Sequence, residues 1–324
     1  MSLKWTNEDS NQEEQEMWPN KSLVIVVLVV FVFSGGRAFA GCPSADLSGD
    51  CLVDLQDFAV LASQWLTEGE PYPVLNGMTW VSISDSGAGM KDVDGNPISH
   101  GGFTGEMGKY ETTNAQYCEF LNAALASGDI TVSSNVVYGA SGSNGGADFV
   151  GQVYFYTSNY TSYSQITWSG TSFSVRSRDG HDMSDHPVVE LSWYGATAFC
   201  NYYGYRLPTE WEWQAVADYN GSFIYGCGAT IDQTKANYYD GGCANPLGLS
   251  SYPYTSPVNH YPSYGYGMND MAGNVWEWTS SCYYGDYRVI RGGSWSTGDY
   301  CGVSSRYGSY PVTTYDTVGF RVCR

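Results

Sequence analysis

Positive charge is scarce in this sequence: 14 Lys and Arg stand against 33 Asp and Glu, a formal net charge of -19 over 324 residues. A surface that replaces counterions along a phosphate backbone needs a basic stripe, so nucleic acid is excluded as a partner, and cations, sugars or protein surfaces are favoured. Histidine is scarcer still. His100, His181, His186 and His260 form no i, i+4 pair of the kind that grips a transition metal, and they read as surface or satisfied core residues. No Cys-x-x-Cys occurs, which removes the common redox and zinc motifs, and no glycine-rich loop is built to cradle phosphate. The apolar run from Leu23 to Phe33 falls short of the roughly 20 residues a membrane span needs.

What is present is glycine (39), tyrosine (28) and a hydrophobic fraction of 43% with only 15% charged residues, a composition of loop-rich, aromatic-packed proteins. Lys21, the apolar run and Ser34-Gly-Gly-Arg-Ala38-Phe-Ala40 make an n-region, an h-region and an A-x-A cleavage site. A signal peptide over 1–40 and a secreted, cell-surface or periplasmic location are expected. The cysteines of an exported chain read as disulfides, and closeness in sequence suggests Cys42–Cys51, Cys227–Cys243 and Cys282–Cys301. Phe39-Ala-Gly-Cys42 leaves lipidation of Cys42 open as an alternative.

After the cleavage site, Asp46, Ser48, Asp50, Asp54 and Asp57 fall at positions 1, 3, 5, 9 and 12 of a loop, with Leu52 at position 7 free to offer its carbonyl. That is the oxygen spacing with which one loop wraps calcium. Leu55, Phe58, Leu61 or Ala62, and Trp65 follow at helical spacing. Residues 41–66 resemble a single repeat of a dockerin, which implies a cohesin-like or surface-attachment partner, although dockerins carry two repeats and one is present here. Residues 67–77 read as a linker.

From Met78 to the end the pattern is α+β. Met78–Ile83 and Phe103–Tyr110 read as strands, and Glu111-Thr-Thr-Asn114 opens a helix bearing Tyr117, Leu121 and Leu125 that stops near Gly128. Residues 152–156, 166–168 and 173–175 fit hairpins. A helix starts at Ser192 and ends at Gly204, and another opens at Thr209 with Glu212 as its capping-box partner. The last hundred residues or so show strand-length runs and no long helical pattern.

Six blocks, in order, resemble the formylglycine-generating enzyme (sulfatase-modifying factor) family: Lys109-Tyr-Glu-Thr-Thr-Asn-Ala-Gln-Tyr117, His186-Pro-Val-Val-Glu-Leu-Ser-Trp193, Arg206-Leu-Pro-Thr-Glu-Trp-Glu-Trp213, Gly267-Met-Asn-Asp-Met-Ala-Gly-Asn-Val-Trp-Glu-Trp278, Arg291-Gly-Gly-Ser-Trp295 and Gly319-Phe-Arg321. They span nearly all of 78–324. The resemblance implies an irregular variant of the C-type lectin fold and bound calcium. It assigns calcium to Asp270, Gly273, Val275 and Glu277, through side chains or carbonyls, and to Asn237 at a second position. It also implies oxidation of a target cysteine to formylglycine by two copper(I)-binding cysteines after the Gly-Gly-Ser segment, and a disulfide close to Cys200 and Cys323.

Here the sequence departs from the family, with Thr297 at the first cysteine position and Cys301 alone near the second. One thiolate cannot reproduce a two-sulfur copper site, so Cys301 is the sole catalytic candidate and copper matters only if an oxidase reading holds. The segment 296–317 instead has the Tyr, Ser, Thr and Gly mixture of a paratope. Trp295, Thr297, Tyr300, Tyr307, Tyr310 and Tyr315 are its candidate contacts to a protein or glycan ligand. The same segment resembles the variable region of diversity-generating retroelement proteins.

Overall fold

The computed structural model describes residues 72–141, 146–298 and 300–324. The expected signal peptide and the loop from Asp46 to Asp57, with Ser48, Asp50, Leu52 and Asp54, lie outside the described residues.

Alternating residues of the opening segment form β1 (Trp80–Asp85), which pairs antiparallel with β2 (Phe103–Gly108) in unbroken register from Trp80 with Gly108 to Asp85 with Phe103. Thr113 caps α1 (Asn114–Ser127): its hydroxyl accepts from the Gln116 amide while the Gln116 side chain reaches back to the Thr113 amide, and Gly128 ends the helix in the left-handed region. Next come β3 (Ile130–Ser133), β4 (Val136–Gly139) and β5 (Val153–Tyr156) in one antiparallel sheet. The hairpin β6 (Ile166–Trp168) with β7 (Phe173–Val175) follows, then the short pair β8 (Ser177–Arg178) and β9 (His181–Asp182).

Ser192 caps α2 (Trp193–Tyr203), and Thr209 with Glu212 forms the expected capping box of α3 (Glu210–Asp218). Residues 219–275 contain turns and isolated bridges but no helix or strand. The chain then closes with β10 (Trp276–Cys282), β11 (Arg288–Arg291), β12 (Arg306–Ser309) and β13 (Val318–Phe320). These lie in the order β12-β11-β10-β13, with β10 and β13 parallel and the other pairs antiparallel.

The core is aromatic. Tyr117 of α1 lies within 5.4–6.1 Å, ring centre to ring centre, of Phe120, Phe155, Phe199 and Phe320, so that both α1 and α2, the β3–β5 sheet and the last strand meet on one side chain. Ring contacts of this kind, stacked, tilted and edge-on, add about 0.5–1.5 kcal/mol per pair to plain area burial. One residue beyond Phe320, Arg321 and Glu277 form a fully buried ion pair: Nη2 to Oε1 at 2.7 Å and Nε to Oε2 at 2.8 Å. The remaining Arg321 donors go to the carbonyls of Gly108 and Lys109 (both 3.0 Å) and Asn269 (2.9 Å), and Trp213 Nε1 of α3 donates to Glu277 at 2.7 Å.

The cysteines correct the sequence reading. Cys118, Cys200, Cys227, Cys243, Cys301 and Cys323 are free thiols, and Cys282 alone among the described cysteines is disulfide-bonded. Neither Cys227–Cys243 nor Cys282–Cys301 forms. Cys282 ends β10 beside the Arg288 guanidinium, whereas Cys301 is buried in a separate cluster with Cys227, Ala236 and Tyr238, so nearness in sequence misleads. Cys200 and Cys323 are both buried and unbonded, Cys323 being held in a main-chain bridge to Arg206.

Replacing Arg321 by Met leaves the Glu277 carboxylate buried without its partner, which costs about 3–5 kcal/mol. Urea unfolding should show that loss, with a large part regained in the Arg321→Met, Glu277→Leu double variant. A single-variant loss below about 1 kcal/mol would contradict the role given to the pair.

Candidate functional site

The two loops that carry the candidate face leave the same sheet: 292–305 joins β11 to β12, and 310–317 joins β12 to β13. Gly292 and Gly293 begin the first loop at φ +95° and +77°. A Cβ on Gly292 would come within 3.1 Å of the Trp213 ring, and one on Gly293 within 2.5 Å of Cys301 Sγ, so both positions require glycine for space as well as for conformation. The second loop is stitched down by main-chain bonds: Trp193 N to Pro311 O (3.0 Å), Glu190 N to Tyr315 O (2.9 Å) and Trp276 N to Thr317 O (2.8 Å). A loop so pinned presents its side chains at fixed positions.

Four of the predicted contacts are outward-facing: Tyr300, Tyr307, Tyr310 and Tyr315 are 54%, 58%, 49% and 44% exposed. Tyr300 and Tyr307 flank Trp276 at 6.4 Å each, and Tyr310 packs on Tyr287 at 3.9 Å. Trp295 is different. It is buried, its amide donates to Asn274 O, its indole to Asp316 O, and Tyr252 and Tyr254 pack on its ring, so it props the face from behind. Thr297 likewise turns the chain, its hydroxyl accepting from the Ser294 amide at 2.6 Å and donating to the Ser294 carbonyl at 3.2 Å. Tyr287 and Tyr252 were not anticipated; their only trace in the sequence is membership of tyrosine-rich runs.

Cys301 is fully buried, and burial pushes its thiol up to about 12, the opposite of an activated nucleophile. Its Sγ donates to Thr297 O at 3.5 Å, and Cys227, also buried, is its neighbour in the cluster beneath Gly293. With a hydroxyl at 297 and a covered thiol at 301, the residues of this loop do not fit the two-thiolate copper group.

Behind the face lies an acidic hub that spacing alone did not disclose. Glu111, buried just before α1, accepts from the Val275 amide (3.1 Å) and from Asn274 Nδ2 (2.6 Å). Asn274 Oδ1 accepts in turn from the Ser256 amide at 2.9 Å and Asn237 Nδ2 at 3.2 Å. Asp270, at φ +56°, has both carboxylate oxygens buried without a partner, and Asn237 Oδ1 is likewise buried and unpartnered. Burial pushes the Asp270 carboxyl up to about 8, with Arg321 opposing and Glu277 adding to the rise, and burial raises Glu111 as well. Three buried acids thus face a single guanidinium.

Glu277, assigned to calcium by resemblance, already accepts from Arg321 and Trp213; Asp270 is the acid with open oxygens. A Cβ on Gly273, at φ +79°, would come within 2.3 Å of the Asn237 carbonyl oxygen, and the Val275 amide donates to Glu111. Among the described residues no three His, Cys, Asp or Glu converge to hold a metal, so any cation here would need carbonyl and amide oxygens to complete its shell. His186 is buried beside this hub with Nδ1 at 2.9 Å from Thr255 Oγ1, and burial lowers its ring to about 4, in keeping with a neutral core histidine.

An irregular α+β domain that displays a side-chain face on loops from a short twisted sheet belongs to the C-type-lectin-like class. Treponema denticola variable protein 1 shares the fold, with a TM-score of 0.50 at 18% identity, covering 78% of this chain and 97% of that one. Residues 87–324 match the Sulfatase-modifying factor enzyme 1-like domain, and the chain belongs to that family. It is 38% identical over 153 residues to inactive C-alpha-formylglycine-generating enzyme 2 of Bos taurus (42% of this chain, 50% of that protein). It is 37% identical over 121 residues to the formylglycine-generating enzyme of Mycobacterium tuberculosis (35% and 40%). The chain spans about a quarter to a half of the length of the curated relatives it matches.

Proposed function

We propose that this sulfatase-modifying-factor-like domain is an exported binding module that takes a protein or glycan ligand on the tyrosine face of residues 296–317, and that it does not carry the family's oxidase chemistry. The observation that supports this most is the pairing of a buried, deactivated Cys301 with four exposed tyrosines on loops fixed from below. Tyrosine supplies large contact area at little entropic cost, and the Ser, Thr and Gly around it supply adaptable hydrogen bonds. The Bos taurus relative, named inactive C-alpha-formylglycine-generating enzyme 2, is compatible with loss of catalysis. Whether the loop is diversified by a retroelement is a property of the neighbouring DNA.

Calcium belongs to the same reading as a structural cofactor. Asp270 with its two unpartnered oxygens, the carbonyls of Gly273 and Val275, and Asn237 Oδ1 are hard ligands, and a divalent cation would offset the surplus negative charge around Arg321. Its chemistry there is charge neutralisation and loop bracing, which holds the β11–β12 loop through the Asn274 to Trp295 bond. The Asp46–Asp57 loop is proposed as a separate attachment module. No helix among the described residues is long and apolar enough to cross a membrane.

Two outcomes are expected. Tyr300→Ser with Tyr307→Ser should abolish capture on a glycan array or a panel of purified extracellular proteins while leaving the melting temperature unchanged; retained capture would remove the face from function. Calcium added to chelator-treated protein should raise the melting temperature by about 5–10 °C at saturation, an effect lost in Asp270→Asn; no shift would argue against the cation.

A further inference from the structure

Cys282 carries a bond whose other end the described residues do not supply. It closes β10 and is disulfide-bonded, while Cys118, Cys200, Cys227, Cys243, Cys301 and Cys323 are all free thiols. The sequence holds nine cysteines, and the two that remain are Cys42 and Cys51, both in the segment 41–66 that carries the calcium-type loop. Within one chain, elimination leaves no other partner.

The surroundings of Cys282 suit a bond that leaves the domain. Five of the six free thiols are buried, whereas Cys282 is half-buried at the base of the hairpin that joins β10 to β11. Arg288, opposite it in register, donates from Nη1 to its Sγ at 3.2 Å and to Ser280 O at 3.2 Å, which braces the strand end. The hairpin is closed by Tyr283 N to Tyr287 O at 2.8 Å, and Tyr283 and Tyr284 at its tip are exposed. Reach is no obstacle. The described chain enters the domain at Tyr72, and a Cβ at Gly204, which ends α2, would come within 2.4 Å of the Tyr72 ring. About twenty residues separate Cys51 from Tyr72, and an extended chain of that length covers roughly 70 Å. A compact domain of about 250 residues has a radius of gyration of roughly 18 Å, so a segment of that length reaches either end of it.

We propose that Cys282 is the covalent anchor of the N-terminal segment, bonded to Cys42 or Cys51, and that the bond fixes segment 41–66 on the flank of the tyrosine face. Tyr287 of the same hairpin packs on Tyr310 of that face at 3.9 Å. Formation is thiol–disulfide exchange: a disulfide of the oxidising compartment accepts the two electrons and two protons of the paired cysteine thiols and leaves as two thiols. The calcium-type loop and the display domain thereby become one covalently closed body, which a cut in the linker 67–77 does not part. This bond and the Cys42–Cys51 pairing suggested by nearness in sequence exclude one another. The anchor rests on the export reading above and not on what the face binds.

The test is peptide mapping of the full chain, purified from an oxidising compartment, with free thiols blocked by N-ethylmaleimide in denaturant and no reductant. After digestion with trypsin and a Glu/Asp-specific protease, the peptide of Cys282 should appear joined to one that contains Cys42 or Cys51, and reductant should part the two. Cys282 carrying the maleimide, Cys42 joined to Cys51, or Cys282 joined to its counterpart in a second copy would each overturn the proposal. On folded protein, cleavage at Glu68 or Glu70 should leave segment and domain as one band on a non-reducing gel and as two after reduction; release without reductant would overturn it. Cys282→Ser should release the segment after the same cut. Tyr300→Ser with Tyr307→Ser should keep the cross-link whether or not it captures ligand, so the anchor and the binding reading fail separately.

Discussion

The Arg321–Glu277 pair is the constraint on which the rest of the domain depends. Five guanidinium donors find five acceptor contacts spread over β2 and the turn after it, the 269 loop and β10, and Trp213 brings α3 to the same carboxylate. A charge taken fully out of water is tolerated only with such complete partnering. The consequence is geometric. A domain with little regular structure acquires one fixed point at which its N-terminal hairpin, its third helix and its closing sheet meet.

From that point the architecture divides into a locked side and a displaying side. Phe320, next to Arg321, fills the ring cluster around Tyr117 and closes the core. On the other side, the short strands β11, β12 and β13 project loops that are held by main-chain bonds, by Trp295 and by two glycines pressed against Trp213 and Cys301. The positions that the family resemblance assigns to the reactive cysteines serve as structure here: the hydroxyl of Thr297 folds the turn, and Cys301 is buried in the same loop. Exposed tyrosine has taken the outer layer.

Much of the fold was legible because its signals are local. The Thr209–Glu212 box, the Ser192 cap and the Gly128 and Gly204 stops act over three or four residues, and the alternation of β1 and β2 over six. The exposed tyrosines were legible for the same reason, as composition. The failures are all long-range. Glu111 meets Asn274 across 163 positions, and Glu190 meets Thr314 across 124; no spacing rule connects them. The Cys227–Cys243 and Cys282–Cys301 pairings failed because contiguity in sequence was the only available proxy for distance, while Cys42 and Cys51 lie outside the described residues. Trp295, one of the candidate ligand contacts, is covered by Tyr252 and Tyr254 from a separate loop.

The account stands on the proposal that this domain binds a ligand on its tyrosine face and does not carry out formylglycine formation. The most direct measurement is incubation of the purified chain with copper(I), oxygen and a Cys-x-Pro-x-Arg peptide, followed by mass spectrometry of the peptide. Unchanged peptide thiol is the predicted result. Conversion of the cysteine to an aldehyde, abolished in Cys301→Ser, would contradict it.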